Sequence, residues 1–125
     1  MSKWISDDAL DTYLNCIRSN CDKMIICSQQ PTTYTEATTT YALATADMTV
    51  NTDYTLANGT ASGRKITTAV KSNITPTGTG GGNHVAFCQS GASKLWLVTN
   101  CSEQNIVAGN PINIPAFTYE ALDPE

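Results

Sequence analysis

The stretch that decides the fold is Gly80–Cys101, GGGNHVAFCQSGASKLWLVTNC. It predicts a β-hairpin, with a first strand over His84-Val85-Ala86-Phe87-Cys88-Gln89 and a turn at Ser90-Gly91-Ala92-Ser93. The second strand runs over Lys94-Leu95-Trp96-Leu97-Val98-Thr99. Two β-rich apolar runs around turn residues are a hairpin signal. Neither run alternates cleanly. Val85 and Phe87 point to one side, but Ala86 and Cys88 on the other side are apolar too. Strict alternation assigns Leu95 and Leu97 to one face of the second run and Trp96 and Val98 to the other. A hairpin apolar on both faces must be covered on both, by a second sheet, a helix or a neighbouring subunit. Gly80-Gly81-Gly82 reads as a flexible approach to it.

Upstream, residues 6–20 predict an amphipathic helix. Ser6 is the N-cap, Asp7 and Asp8 suit the positive end of the helix dipole, and Ile5 can staple onto Leu10. Leu10, Tyr13, Leu14, Ile17 and Cys21 recur at 3–4-residue spacing and form one apolar stripe, which fits a helix lying on a sheet. Asn20 closes the helix. Met24–Cys27 is a short apolar strand. The Thr-rich segment 32–44 is left open between strand and a turn or two of helix capped at Thr35. Its Tyr34, Tyr41 and Leu43 argue for packing rather than a disordered stalk.

Met48-Thr49-Val50 is expected to begin the β-rich part, followed by Tyr54–Ala57 and turns at Asn58-Gly59 and Ser62-Gly63. Arg64–Lys71 reads as an edge strand guarded by its lysines, with Ile66 and Thr68 on one face. Asn105–Ala108 reads as a strand. So does Ile112–Tyr119, with Ile112, Ile114 and Ala116 inward and Pro111 and Pro115 holding it at an edge or bulge. The expected fold is therefore mainly β: an antiparallel β-sandwich or barrel-like core with one N-terminal amphipathic helix. A single domain spans 1–125, with the helix at about 6–20, the β-rich core at about 24–119 and a loose acidic tail at 120–125.

The chain has 125 residues, a net charge of -4 and only 14% charged residues, against roughly 25% in an average domain. Such a surface suits β proteins and proteins that pack against other proteins, where few charges need desolvating. Acidity argues against nucleic acid or an anionic membrane as partner. No stretch approaches the roughly 20 apolar residues of a membrane span. Met1-Ser2-Lys3-Trp4 leads into acidic residues without an apolar signal region, so synthesis in a cytoplasm is expected. On that route the sequons at Asn58, Asn73 and Asn100 carry no weight.

No pattern of catalytic residues emerges. The cysteines at 16, 21, 27, 88 and 101 lack zinc or redox spacing and read as reduced, mostly buried thiols. Gly80–Gly82 precedes a strand rather than a helix, so it is no phosphate loop. His84 and Cys88 share a strand face, which leaves a Cys–His pair open, though a satisfied polar residue at a strand start is favoured. The carboxylates flank caps, turns and the tail without a calcium-loop spacing. Trp96 fits a core better than a stacking platform, and Trp4 adds one further aromatic. No catalytic, cofactor or metal residues are therefore assigned.

The order of a helix, Cys27-Ser28-Gln29-Gln30-Pro31-Thr32-Thr33-Tyr34, Leu56-Ala57-Asn58-Gly59, Ser62-Gly63-Arg64-Lys65, Asn83-His84-Val85-Ala86 and Ile114-Pro115 resembles small structural proteins of tailed bacteriophages. By size, β content and polar surface the chain looks most similar to a head decoration, or cement, protein. The resemblance implies a non-enzymatic virion component on the capsid surface. It also implies contact with the major capsid protein, homo-oligomers (trimer or dimer), and no cofactor. A tail or host-recognition module binding a glycan or receptor is the other expectation.

Overall fold

The structure, a computed structural model, describes residues 5–59 and 63–121, the side chain of Ala121 excepted. The readings of Trp4, of Thr60 in the first sequon, of the loop at Ser62 and of the tail Leu122–Glu125 lie outside the described residues. In chain order the elements are α1 (Asp7–Asn20), β1 (Lys23–Cys27), a π-helical turn (Glu36–Thr40), β2 (Ala42–Asp47), β3 (Tyr54–Asn58), β4 (Arg64–Thr68) and β5 (Lys71–Ile74). They continue with β6 (Gly80–Gln89), β7 (Lys94–Ile106), β8 (Ile112–Ile114) and β9 (Thr118–Ala121). Every strand pairing is antiparallel. The sheets have the orders β2-β1-β6-β7, β3-β4-β9 and β5-β8. The fold is mainly β, with a sandwich-like core and one N-terminal helix.

The helix starts where its cap residue predicts. Ser6 Oγ accepts from the Ala9 N–H at 3.1 Å, and Asp7 and Asp8 fill the first turn. It stops at Cys21, whose N–H still donates to the Ile17 carbonyl while its backbone turns extended. The Asn20 amide donates to the Cys16 carbonyl at 2.7 Å. Leu10, Leu14 and Ile17 are buried, but Tyr13 from the same stripe is 50% exposed. It stacks on Tyr119 of β9, ring centroids 6.4 Å apart. Beside it, Arg64 Nε donates to Asp11 Oδ1 at 2.7 Å, which ties α1 to β4.

The central hairpin is longer than its apolar runs. Glycines 80–82 belong to β6 rather than to a loose approach, and the run expected at Asn105–Ala108 is the end of β7. Two irregularities interrupt the pairing. Phe87 faces Leu97 while Cys88 faces Leu95, so Trp96 is an extra residue on β7. This bulge overturns the alternation assigned to the second strand, because an inserted residue shifts the phase of every side chain after it. Trp96 and Leu97 pack with the inner core, whereas Leu95 and Val98 pack on the outer face. Trp96 is further held by its Nε1–H, which donates to Gln89 Oε1 at 3.2 Å, and by Lys94 Nζ 4.6 Å above its ring. At the second irregularity Gly82 faces Gln104 but His84 faces Asn100, so three residues of β7 oppose Asn83.

The inner face of the four-stranded sheet carries Met24, Ile26, Val85 and Phe87, packed against Ile17 of α1 and Tyr54 and Ile66 of the three-stranded sheet. Tyr54 and Phe87 meet edge to face, and the Tyr54 hydroxyl donates to the Cys21 carbonyl at 2.7 Å. The outer face carries Ile25, Cys27, Ala86 and Cys88, covered by Ala37, Tyr34 and Tyr41 from the Thr-rich segment. That segment is a π-helical turn followed by β2. Its cap is Thr33, not Thr35: Thr33 Oγ1 accepts from the Glu36 N–H at 3.1 Å, and the Glu36 carboxylate accepts from the Thr32 N–H at 2.9 Å. The Thr33 hydroxyl thus caps the turn, and the Glu36 side chain ties down the residue just before the cap.

Three further expectations are corrected. Residues 48–53 form a turn, not a strand start, because the Asp53 carboxylate accepts from the Thr49 N–H and closes the loop. Arg64–Lys71 divides into β4 and β5, and β4 is the middle strand of its sheet rather than an edge. Lys65 therefore guards no edge, whereas Lys71 falls on β5 of the two-stranded sheet, and Ile66 and Thr68 are buried as expected. Ala116 is exposed, since β8 ends at Ile114, ahead of Pro115. Thr68 takes up the chain beyond the break, donating its N–H to the Phe117 carbonyl and accepting the Phe117 N–H on its Oγ1 at 2.9 Å.

Candidate functional site

β7 is the outermost strand of the four-stranded sheet, and among the described residues no strand pairs with its outer side. A strand in that position presents a row of unpaired N–H and C=O groups. It divides into two halves. Leu95 to Thr99 are all half-buried, whereas Asn100 and Ser102 to Asn105 are exposed and polar. The cover on the outer face reaches β1 and β6, where Cys27, Ala86 and Cys88 have no exposure, and stops short of Leu95 and Val98.

Beside the polar half lies a groove of about 360 Å³. Ile26, Ile106, Ile114 and Phe117 form its floor, and Asn100, Cys101, Ser102, Gln104 and Asn113 its rim. Gly82 opens it from below. A Cβ at position 82 would lie 2.5 Å from Ile26 Cγ2 and 3.3 Å from Ile106 Cγ1, so the strands meet here only because this side chain is missing. Among the described residues, nothing bonds the side chains of Asn100, Ser102 and Gln104. No Asp, Glu, Lys, Arg or His among the described residues lines the groove. By contrast, the inner core holds a void of only about 10 Å³ between Ile17, Tyr54, Phe87 and Leu97, room for at most one water.

The residues tested for chemistry are placed apart. His84 and Cys88 do share the outer face, but four residues of extended chain separate them by about 13 Å. His84 Nδ1 instead sits 2.7 Å from Asn83 Oδ1. Burial pushes the Cys88 thiol up to about 11, and those of Cys21 and Cys27 up to about 12. A nucleophilic or metal-ligating cysteine needs the opposite shift. The Cys27 thiol is spent on weak donation towards the Ala37 carbonyl, 3.6 Å away. Cys16 is exposed and Cys101 half-buried at the groove. The described residues hold no group of three or more His, Cys, Asp and Glu side chains able to share a metal ion. No helix among them is long and apolar enough to cross a membrane.

The strongest electrostatic contacts fasten the fold rather than build a site. Burial opposes ionisation of Asp22, but the Ser90 hydroxyl and N–H both donate to its carboxylate and hold its pKa below the usual range. This pins the hairpin turn to the start of β1. Lys71 Nζ donates to Asp53 Oδ2 at 2.7 Å and, with the Thr49 N–H, lowers the Asp53 pKa. Lys23 pairs with Asp47, which raises the Lys23 pKa.

Comparison with protein-family models, curated proteins and solved structures finds no match to this chain. The groove was not visible in the sequence. Ile26, Gly82, Cys101 and Phe117 come together only through the long hairpin and the break at Pro115. The one local hint was three consecutive glycines inside a run able to form a strand.

Proposed function

We propose that this protein is a non-enzymatic structural component of a bacteriophage virion. On this reading it is a decoration protein that binds the major capsid protein of the assembled head and stabilises it. The observation that carries the reading is the incomplete cover on β7. Among the described residues, nothing pairs with the outer side of the strand, and the cover over Leu95 and Val98 on the outer face is only partial, which leaves room for contacts beyond one chain. The low charge of the surface and the resemblance of its turns and strand starts to phage structural proteins support it. A ligand that binds only the assembled state stabilises that state by mass action. Many copies, arranged as trimers or dimers that bridge neighbouring capsomers, would multiply modest individual contacts.

Heads assembled without the protein are expected to form but to rupture at lower temperature and on dilution. Adding the purified protein should restore them. If depleted particles are equally robust but fail to adsorb to cells, the reading is wrong and a tail or host-recognition module takes its place.

A further inference from the structure

We infer that the capsid partner is engaged as an extended, uncharged peptide segment, which pairs with the outer side of β7 and drops an apolar side chain into the groove beside it. This deepens the decoration reading and rests on it. Two observations point to the same occupant. The first is the unpaired side of β7, regular between its two irregularities over Leu97–Asn100. The second is the groove lined by Asn100, Cys101, Ser102 and Gln104, which follow directly, so a segment paired with Leu97–Asn100 brings its next residues to the groove mouth. Main-chain pairing supplies affinity in such recognition, and a pocket for alternate side chains supplies specificity. The chemistry matches. The floor of Ile26, Ile106 and Phe117 takes an aliphatic or aromatic side chain, and the unbonded amide of Gln104 can donate to and accept from a peptide backbone. With no charged residue among the described residues lining it, the groove offers nothing to neutralise an ionised side chain, and a charge placed there would lose hydration without compensation.

A second copy of the chain fits poorly. In an antiparallel pair of identical strands, facing residues share a sheet face, so the two-fold axis passes through a residue position. Centred on Val98 it sets Trp96 against Asn100; centred on Thr99 it sets Leu97 against Cys101 and Trp96 against Ser102. These are the two centres inside the regular stretch Leu97–Asn100, and each sets Trp96 against a polar residue of the second half.

The test uses heads assembled without the protein and then saturated with it. Amide hydrogen exchange and alkylation by N-ethylmaleimide are compared in free and head-bound protein. Exchange over residues 97–104 should slow by about tenfold or more on binding, and Cys101 alkylation should slow with it. Ser102→Trp, which fills the groove mouth from an exposed position, should weaken head binding by about tenfold while leaving the unfolding midpoint unchanged. Protection elsewhere on a protein that does bind heads overturns the groove and leaves the decoration reading standing. Protection of β7 that rises with concentration in the free protein overturns it in favour of self-pairing. A protein that binds no heads at all overturns both.

Discussion

The two faces of the four-stranded sheet are equally apolar in sequence, yet they are buried by different means. The inner face is closed by regular structure, since α1 and the three-stranded sheet bring Ile17, Tyr54 and Ile66 onto Met24 and Phe87. The outer face is closed by one irregular segment, whose small Ala37 and two half-buried tyrosines cover Ile25, Ala86 and Cys88. Side-chain size follows this division. On β1 and β6 the large Met24, Ile26 and Phe87 meet large residues across the inner layer, with Ala44 and Ala46 of β2 beside them, while alanine and cysteine let the backbone of the π-helical turn approach the outer one. The difference teaches that apolar content measures how much cover a strand needs, not what supplies it.

If that division is right, truncation should be costly inside and cheap outside. Phe87→Ala removes a ring that is 2% exposed and meets Tyr54, so a loss of about 3–5 kcal/mol is expected. Val98→Ala, at the uncovered margin, should cost roughly 1 kcal/mol or less. Urea unfolding of both variants reads the difference; equal losses would mean that the outer face is as firmly closed as the inner.

The thiols probe the same cover without mutation. Cys21, Cys27 and Cys88 have no exposure, whereas Cys16 is exposed and Cys101 half-buried. Aromatic disulfide reagents should titrate Cys16 at once and Cys101 slowly. The other three should react on the order of a hundredfold more slowly, and fully only in denaturant. Their raised pKa values act in the same direction. A thiol whose folded pKa lies above its unfolded value near 8.5 stabilises the fold below that pH. That stability is lost as pH climbs through the window ending at about 11 for Cys88 and about 12 for Cys21 and Cys27. Rapid labelling of Cys27 or Cys88 at neutral pH would show that the π-helical turn opens readily.

The glycines sharpen the picture at one point. Gly82→Ala must displace Ile26, because a Cβ there lies 2.5 Å from Ile26 Cγ2, and overpacking of this kind costs about 1–3 kcal/mol. Gly91→Ala, in the hairpin turn, meets nothing within 4 Å and should stay within about 0.5 kcal/mol of the parent protein. Thermal unfolding of the two variants compares them directly.

These contrasts mark what local sequence can carry. The helix, its Ser6 cap, the hairpin turn and the burial of Ile66 and Thr68 were legible because each rests on a period or a cap within a few residues. The faces of Trp96 and Leu97 were not, since a bulge shifts the phase without any local signature at Lys94–Leu97. The position of β4 was misread for a related reason. Lys65 of the middle strand faces Glu120 across the pairing with β9, and a lysine with a cross-strand neighbour looks, in one strand alone, like the guard of an edge. The groove depends on residues 26, 82, 101 and 117, which only the completed topology brings together.

The smallest effect concerns the loop that delivers Tyr54 to the inner core. Lys71 Nζ and the Thr49 N–H both bond the Asp53 carboxylate, and both side chains of the ion pair are largely shielded from solvent. The folded pKa of Asp53 therefore lies below its unfolded value, which is near 3.9. A carboxylate depressed in this way stabilises the fold above the unfolded pKa, and the contribution is lost as pH falls through the folded value. Lys71→Met should flatten the fall of stability below about pH 4 and lower stability at neutral pH by about 1 kcal/mol. Lys23→Met removes a bond to Asp47, which is 84% exposed, and solvent already screens that pair. It should leave the acid limb nearly as steep as in the parent protein. Urea midpoints collected from pH 3 to 7 would decide the matter. An equal flattening in both variants would mean that the loop before Tyr54 is no better anchored than the exposed rim of β1 and β2, and the inner face would lose its claim to be the more firmly fastened of the two.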